Sequence, residues 1–124
     1  MSPRRKPVVL YIDDDAANRK MLQSIVARRC PQVRVVTAAT AGEGLELVAT
    51  ERPNLILLDR NLSSSSGDKV LQDLRVNPAT VDIPVVIVTG EMEGSAELVE
   101  RGAKEVLVKP YDVDGLETIV NRYT

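Results

Sequence analysis

An α/β fold with a doubly wound parallel sheet is what this sequence predicts, on three observations. Five short apolar runs rich in Val, Ile and Leu alternate with five stretches of helical periodicity, a βα pattern repeated five times. The runs are largely unbroken rather than alternating with polar residues, which suits strands buried on both faces of a sheet. Four of them end on a polar residue, at the strand edge where open α/β sheets bind ligands.

The elements follow in order. Val8-Val9-Leu10-Tyr11-Ile12 is apolar and β-branched, the first strand, and ends in Asp13-Asp14-Asp15. Ala16 to Arg29 reads as a helix with Met21, Leu22, Ile25 and Val26 at the spacing of one face, stopped by Pro31. Val33 to Thr37 is a short second strand. A second helix opens at Thr40 or Ala41 and runs through Glu51, with Leu45, Val48 and Ala49 as its buried stripe and Arg52-Pro53 as its stop. Leu55 to Leu58 is the third strand, closed by Asp59. Asn61 to Gly67, with four serines, is a loop by composition. Asp68 to Arg75 is a helix with Val70, Leu71 and Leu74 inward, broken at Asn77-Pro78. Pro84 to Thr89 is the fourth strand and Gly90 to Gly94 a turn. Ala96 to Arg101 is a short helix stopped by Gly102. Glu105 to Lys109 is the fifth strand, and Pro110 turns the chain. Asp112 or Asp114 caps a last helix through Arg122, with Val113, Leu116, Ile119 and Val120 inward.

At 124 residues this is one domain, expected over residues 7–124 behind a basic tail, residues 1–6, whose Arg4-Arg5-Lys6 cluster reads as solvated. With right-handed crossovers, a five-stranded sheet of this kind takes the order 2-1-3-4-5, its switch point between the first and third strands. The core must be aliphatic, because the chain has three Tyr and no Phe or Trp. A net charge of -2 gives no argument for nucleic acid or an anionic membrane. No apolar run approaches a membrane span, and a cytoplasmic location is the expectation. The single Cys30, just before Pro31, excludes an internal disulfide and reads as structural. With no His, the chain carries no His-based acid–base chemistry, His metal site or phosphohistidine of its own.

In the order 2-1-3-4-5, Asp13-Asp14, Asp59, Thr89 and Lys109 end four neighbouring strands at one edge. Crowded carboxylates repel, and a divalent cation relieves the repulsion. Hard oxygen ligands with few protein donors suit Mg²⁺, which usually binds beside a phosphate; Mn²⁺ is the alternative. Lys109 is a point charge able to neutralise phosphoryl oxygens, Thr89 can donate a hydrogen bond, and Asp59 becomes a carboxylate nucleophile that forms an acyl phosphate. Taken singly, each of these residues has a structural explanation as a strand end, cap or turn; their placement at successive strand ends is the signal.

These residues resemble the response-regulator receiver domain of two-component signalling, over about Val8 to Val120. Val9 to Asp15 is similar to its acid-pair segment, Leu55 to Asp59 to its phosphoacceptor strand, Pro84 to Gly90 to its Ser/Thr strand, and Gly102-Ala103 with Val108-Lys109-Pro110 to its Lys-Pro strand. The resemblance implies a flavodoxin-like fold and a phosphoacceptor switch. It implies that Asp59 takes a phosphoryl group from a sensor histidine kinase or histidine phosphotransfer protein. Asp14, Asp59 and the main-chain carbonyl of Asn61 ligate Mg²⁺, with Asp13 acting through water, while Thr89 and Lys109 hold the phosphoryl oxygens. Asn61 and Glu91 tune the lifetime of the acyl phosphate, which water cleaves slowly. It implies no enzyme beyond this self-directed chemistry, an unknown downstream protein target, no nucleic-acid or membrane partner for this domain, and a monomer or weak dimer.

The sequence departs from the family pattern in three places. Val106 stands where an aromatic residue three positions before the Lys usually reports the switch. The stretch from Thr89 to Lys109 is short, the loss falling between Gly90 and Gly102. Ser63 stands where a Pro usually stiffens the loop after Asp59. All three touch signal transmission and none touches the phosphorylation residues. They direct the expected readout toward the Ser-rich loop and the first helix.

Three rivals make different demands. A pseudo-receiver that works without phosphorylation predicts loss of an acid, the Thr or the Lys; all are present. A phosphatase with an Asp nucleophile often has a general acid two positions on, where this chain has Asn61. A flavodoxin-like cofactor carrier wants a phosphate-cradling loop after the first strand, where Asp13-Asp14-Asp15 would repel a phosphate. The chain ends about where the domain ends, so a free-standing receiver and one cut from a larger protein are both expected forms.

Overall fold

The computed structural model describes residues 5–62 and 66–124. Ten elements alternate along the chain. They are β1 (Val8–Ile12), α1 (Ala16–Arg29), β2 (Arg34–Ala38), α2 (Ala41–Glu51), β3 (Leu55–Asp59), α3 (Gly67–Val76), β4 (Val85–Thr89), α4 (Ser95–Glu100), β5 (Glu105–Val108) and α5 (Val113–Tyr123). The strands form one parallel sheet in the order β2-β1-β3-β4-β5. Every residue of β1, β3 and β4 is buried, as unbroken apolar runs require of central strands.

Period-two geometry divides the core. Val9, Tyr11, Leu55, Leu57, Val86 and Val88 face Leu22 and Val26 of α1 and Leu116, Ile119 and Val120 of α5. Leu10, Ile12, Ile56, Leu58, Val85 and Ile87 face the opposite way, onto α2, α3 and α4. Cys30 is buried in the first layer at the end of α1, its thiol 3.7 Å from Asn121 Oδ1.

The helix starts are built by short polar side chains. Asp15 caps α1, accepting from the N–H groups of Ala17 and Asn18. Thr40 caps α2 through Glu43 N–H, Ser66 caps α3 through Lys69 N–H, and Asp112 caps α5 through Gly115 N–H. The choices between Thr40 and Ala41, and between Asp112 and Asp114, are thereby settled on Thr40 and Asp112.

Several expectations need correction. Met21 does not join the inward face of α1; it is 50% exposed, because only Leu22 and Val26 of this helix reach full burial against the sheet. Ala49 is exposed, and Gly44 takes an inward place instead, since a Cβ there would come within 2.5 Å of Ile12 Cδ1. α3 begins at Gly67 and α4 at Ser95, each one residue before the expected start. Of the basic tail, Arg5 and Lys6 are exposed, with Arg5 Nη2 donating to the Glu51 carbonyl at 3.0 Å and pairing with its carboxylate at 3.5 Å, and Arg4 lies outside the described residues. Ser63, and with it the expected loosening of that loop, lies outside the described residues. Among the described residues no helix is long and apolar enough to cross a membrane.

Candidate functional site: an acid cluster at the sheet edge

Register carries the polar strand ends to one place. Ile12 lies opposite Leu58, so Asp13 and Asp59 stand level. Asp59 lies opposite Val88, placing Thr89 one residue beyond, and Thr89 lies opposite Val108, which sets Lys109 directly after β5 beside it. By the same parity Asp13, Asp59 and Lys109 rise from the α1/α5 face, whereas Thr89 and Val106 rise from the face of α3 and α4.

The cluster forms as expected. Carboxylate oxygens of Asp13, Asp14 and Asp59 all lie within 4.8 Å of one another. Lys109 Nζ is 3.3 Å from Asp59 Oδ2 and 3.8 Å from Asp13 Oδ2. The Lys109-Pro110 peptide that follows is cis. Asp59 Oδ1 accepts from Asn61 N–H at 3.0 Å, a turn that the residue two positions on closes. Burial pushes the Asp59 carboxyl above its ordinary value and the charge of Asp13 adds to this, while the Asn61 N–H and Lys109 oppose it. Such a cluster of hard oxygens is compatible with a divalent metal ion.

The two neighbouring acids are set apart by their surroundings. Asp13 is fully buried: Oδ2 accepts from Tyr11 Oη at 2.5 Å and Asn18 Nδ2 at 3.2 Å, and Oδ1 from Asp15 N–H at 2.9 Å. Arg19 Nη1 donates to the Asp13 carbonyl at 2.7 Å. Asp14 is exposed. Thr89 is buried and its Oγ1 accepts from Glu91 N–H at 3.2 Å, with Glu91 and Asn61 themselves exposed at the rim. A cavity of about 490 Å³ beside Lys109 is walled by Tyr11, Asn18, Met21, Pro110 and Tyr111.

Val106 lies opposite Ile87 and packs half-buried against the α2/α3/α4 layer, away from the acids. Two residues were not anticipated. Tyr11 carries the one hydroxyl in an otherwise aliphatic β1, and parity places it on the same face as Asp13, two residues on. Arg60 directly follows Asp59. Its Nε and Nη2 hold the two carboxylate oxygens of Asp68 at 3.1 and 3.4 Å, and its Nη1 donates to the Glu93 carbonyl at 3.3 Å.

The sequence matches the family model of the response regulator receiver domain over residues 9–121. The chain belongs to this family. It is therefore a receiver domain of two-component signalling, and its fold agrees with solved receivers. It superposes on the chemotaxis response regulator CheY4 of Vibrio cholerae with a TM-score of 0.85 at 24% identity, covering 97% of this chain and 100% of that one. Among sequence relatives, the probable C4-dicarboxylate response regulator DctR of Bacillus subtilis is 31% identical over 124 residues, 97% of this chain but 53% of its own length. The sporulation initiation phosphotransferase F of the same organism is 28% identical over 115 residues, 93% of this chain and 91% of its own length. This receiver thus spans about half of the first of these relatives and nearly all of the second.

Proposed function

We propose that this receiver is a phosphoacceptor switch. The observation that carries the reading is the position of Lys109 Nζ, 3.3 Å from Asp59 Oδ2 at the centre of the acid cluster. A carboxylate oxygen of Asp59 attacks the phosphorus of a phosphohistidine on a sensor histidine kinase or histidine phosphotransfer protein. The new O–P bond replaces the P–N bond and the imidazole leaves on its own protein. Lys109 neutralises charge on the phosphoryl oxygens, and the Thr89 hydroxyl, now turned toward Glu91 N–H, donates to one of them. Water later cleaves the acyl phosphate, with the exposed side chains of Asn61 and Glu91 at the rim controlling its approach.

The donor set fits Mg²⁺ better than a softer metal. Asp14, which is exposed, and Asp59 would hold the ion together with the Asn61 carbonyl, and Mn²⁺ would fit the same oxygens. Asp13, both of whose oxygens accept protein hydrogen bonds, would act one water further out. When bound, Mg²⁺ supplies charge compensation for the acids and the incoming phosphoryl oxygens. The domain does no chemistry on other molecules; its product is its own altered surface, presented to a downstream protein by a monomer or weak dimer in the cytoplasm.

Intact-protein mass spectrometry after incubation with a small-molecule phosphodonor tests this. One phosphoryl adduct is expected with Mg²⁺, none without it and none in Asp59→Ala. A folded, Mg²⁺-binding chain that gains no adduct would sink the reading.

A further inference from the structure

Asp59 and Arg60 are consecutive residues at the end of β3, so their side chains leave the sheet in opposite directions. Asp59 points into the acid cluster. Arg60 points to the layer of α3 and α4, where it joins three segments. Its backbone is fixed first: Arg60 N–H donates to the Val88 carbonyl at 2.9 Å, and its carbonyl accepts from Gly67 N–H at 2.7 Å. The planar guanidinium then grips both oxygens of Asp68 in the first turn of α3, a fork geometry that Lys could not reproduce. The remaining donor reaches the Glu93 carbonyl in the turn before α4. Gly94, at φ 83°, allows the approach, since a Cβ there would lie 3.1 Å from Arg60 Nη1.

The turn from Gly90 to Gly94 is therefore held at two points. Near its start, Glu91 N–H bonds Thr89 Oγ1; near its end, the Glu93 carbonyl bonds Arg60. Both anchors are attached to the phosphoryl site, one as a ligand of the phosphoryl group and one as the residue next to the phosphoacceptor. A phosphoryl oxygen that draws the Thr89 hydroxyl toward itself carries Oγ1, the acceptor of the Glu91 N–H, away from the start of the turn, while Arg60 couples any movement of the Asp59 turn to the Glu93 carbonyl at its end. Two different contact sets for the same turn supply the differential interaction that any switch needs. Val106 offers neither a ring nor a hydroxyl to this face.

We infer that Arg60 is the positioning residue that carries the state of Asp59 to the β4–α4 turn and α4, in the place where other receivers use an aromatic side chain on β5. The inference rests on the phosphoacceptor reading above, and it puts the output on α4 rather than on the first helix. The predicted behaviour is specific. Arg60 variants take the phosphoryl group but do not relay it.

The experiment compares the native chain with Arg60→Ala, Arg60→Lys and Asp68→Asn. Backbone amide spectra are recorded with Mg²⁺ alone and with Mg²⁺ plus beryllofluoride, a non-covalent phosphoryl mimic. Amides of Asn61 and Lys109 report occupancy, those of Gly90 to Val99 report the relay, and mass spectrometry with a small-molecule phosphodonor reports adduct formation separately. All four proteins are expected to show occupancy and an adduct. The shift changes from Gly90 to Val99 should appear in the native chain, vanish in Arg60→Ala, and return only in part in Arg60→Lys. Asp68→Asn, which frees the fork from its other end with little change of shape, should weaken them too and carries the test if Arg60→Ala folds poorly. Equal shift changes in the native chain and the variants, with occupancy intact, would overturn the relay and leave the phosphoacceptor reading standing. No adduct and no occupancy in the native chain would overturn both.

Discussion

Gly67 lies directly against Asp59: a Cβ at Gly67 would sit 2.5 Å from the Asp59 carbonyl oxygen and 2.8 Å from Arg60 Cα. Both are backbone atoms, fixed by the Gly67-to-Arg60 hydrogen bond and by the sheet, so neither can yield cheaply. Gly67→Ala should therefore destabilise the fold by about 1–3 kcal/mol, despite the better helix propensity of Ala. Gly42, in the first turn of α2, has nothing within 4 Å of its would-be Cβ, and Gly42→Ala should be stabilising by up to about 1 kcal/mol. Urea denaturation followed by far-ultraviolet circular dichroism reads both; the same sign for the two would refute the packing argument.

Tyr11→Phe keeps the ring in the α1/α5 core and removes the hydroxyl that donates to Asp13 at 2.5 Å. A lost hydrogen bond to a carboxylate predicts about 1.5–3 kcal/mol of lost stability at neutral pH. A urea midpoint equal to that of the native chain would mean that Asn18 and Asp15 suffice to hold Asp13.

Cation binding should itself stabilise the folded chain, by about 1.4 kcal/mol at ten times the dissociation constant. Lys109→Gln removes the positive charge 3.3 Å from Asp59, so it should bind Mg²⁺ more tightly, on the order of tenfold. The same change should slow adduct formation on the order of a hundredfold, because the phosphoryl oxygens lose their counter-charge. Calorimetric titration and timed mass spectra separate the two. Weaker Mg²⁺ binding in Lys109→Gln would contradict the placement of the ion among these acids.

Glu105 on β5 accepts from Arg122 Nη1 and Tyr123 Oη of α5, both at 2.5 Å. Burial pushes its carboxyl up, but the two hydrogen bonds outweigh this and hold it below the ordinary glutamate value. A depressed folded-state pKa contributes stability that is present above the unfolded value and is lost as pH falls through the folded one. The stability gap between the native chain and Glu105→Gln should thus be widest near neutrality and close on the acid side. Urea midpoints across a pH series check this, and a gap that widens in acid would reverse the sign.

The parts of the site that could be read without coordinates share one property: each is a polar residue ending an apolar run. Asp13, Asp59, Thr89 and Lys109 announce themselves by that contrast, and the strand order then brings them together. Arg60 carries no such contrast, since a charged residue after a strand is ordinary. Only the parity of β3, which sends residues 59 and 60 to opposite faces, distinguishes it. In the sequence Tyr11 is one more residue of an apolar strand, although its hydroxyl meets Asp13. The helix stripes failed where size mattered more than hydropathy: Gly44 lies inward because Ile12 leaves no space for a larger residue, and Met21 lies outward although its spacing fits.

The scarcity of aromatic residues, which obliges the core to be aliphatic, also gives the molecule a built-in optical reporter. With no tryptophan, its near-ultraviolet absorption and emission come from three phenols. Tyr11 is bonded to Asp13 and Tyr111 shares the cavity beside Lys109, so two of the three chromophores stand at the acid cluster and only Tyr123 lies at the end of α5. Any event that rearranges those acids changes the field at most of the protein's dye. The cation binding and phosphoryl transfer proposed for these acids should then be readable by light, in the unmodified chain, without attaching a probe.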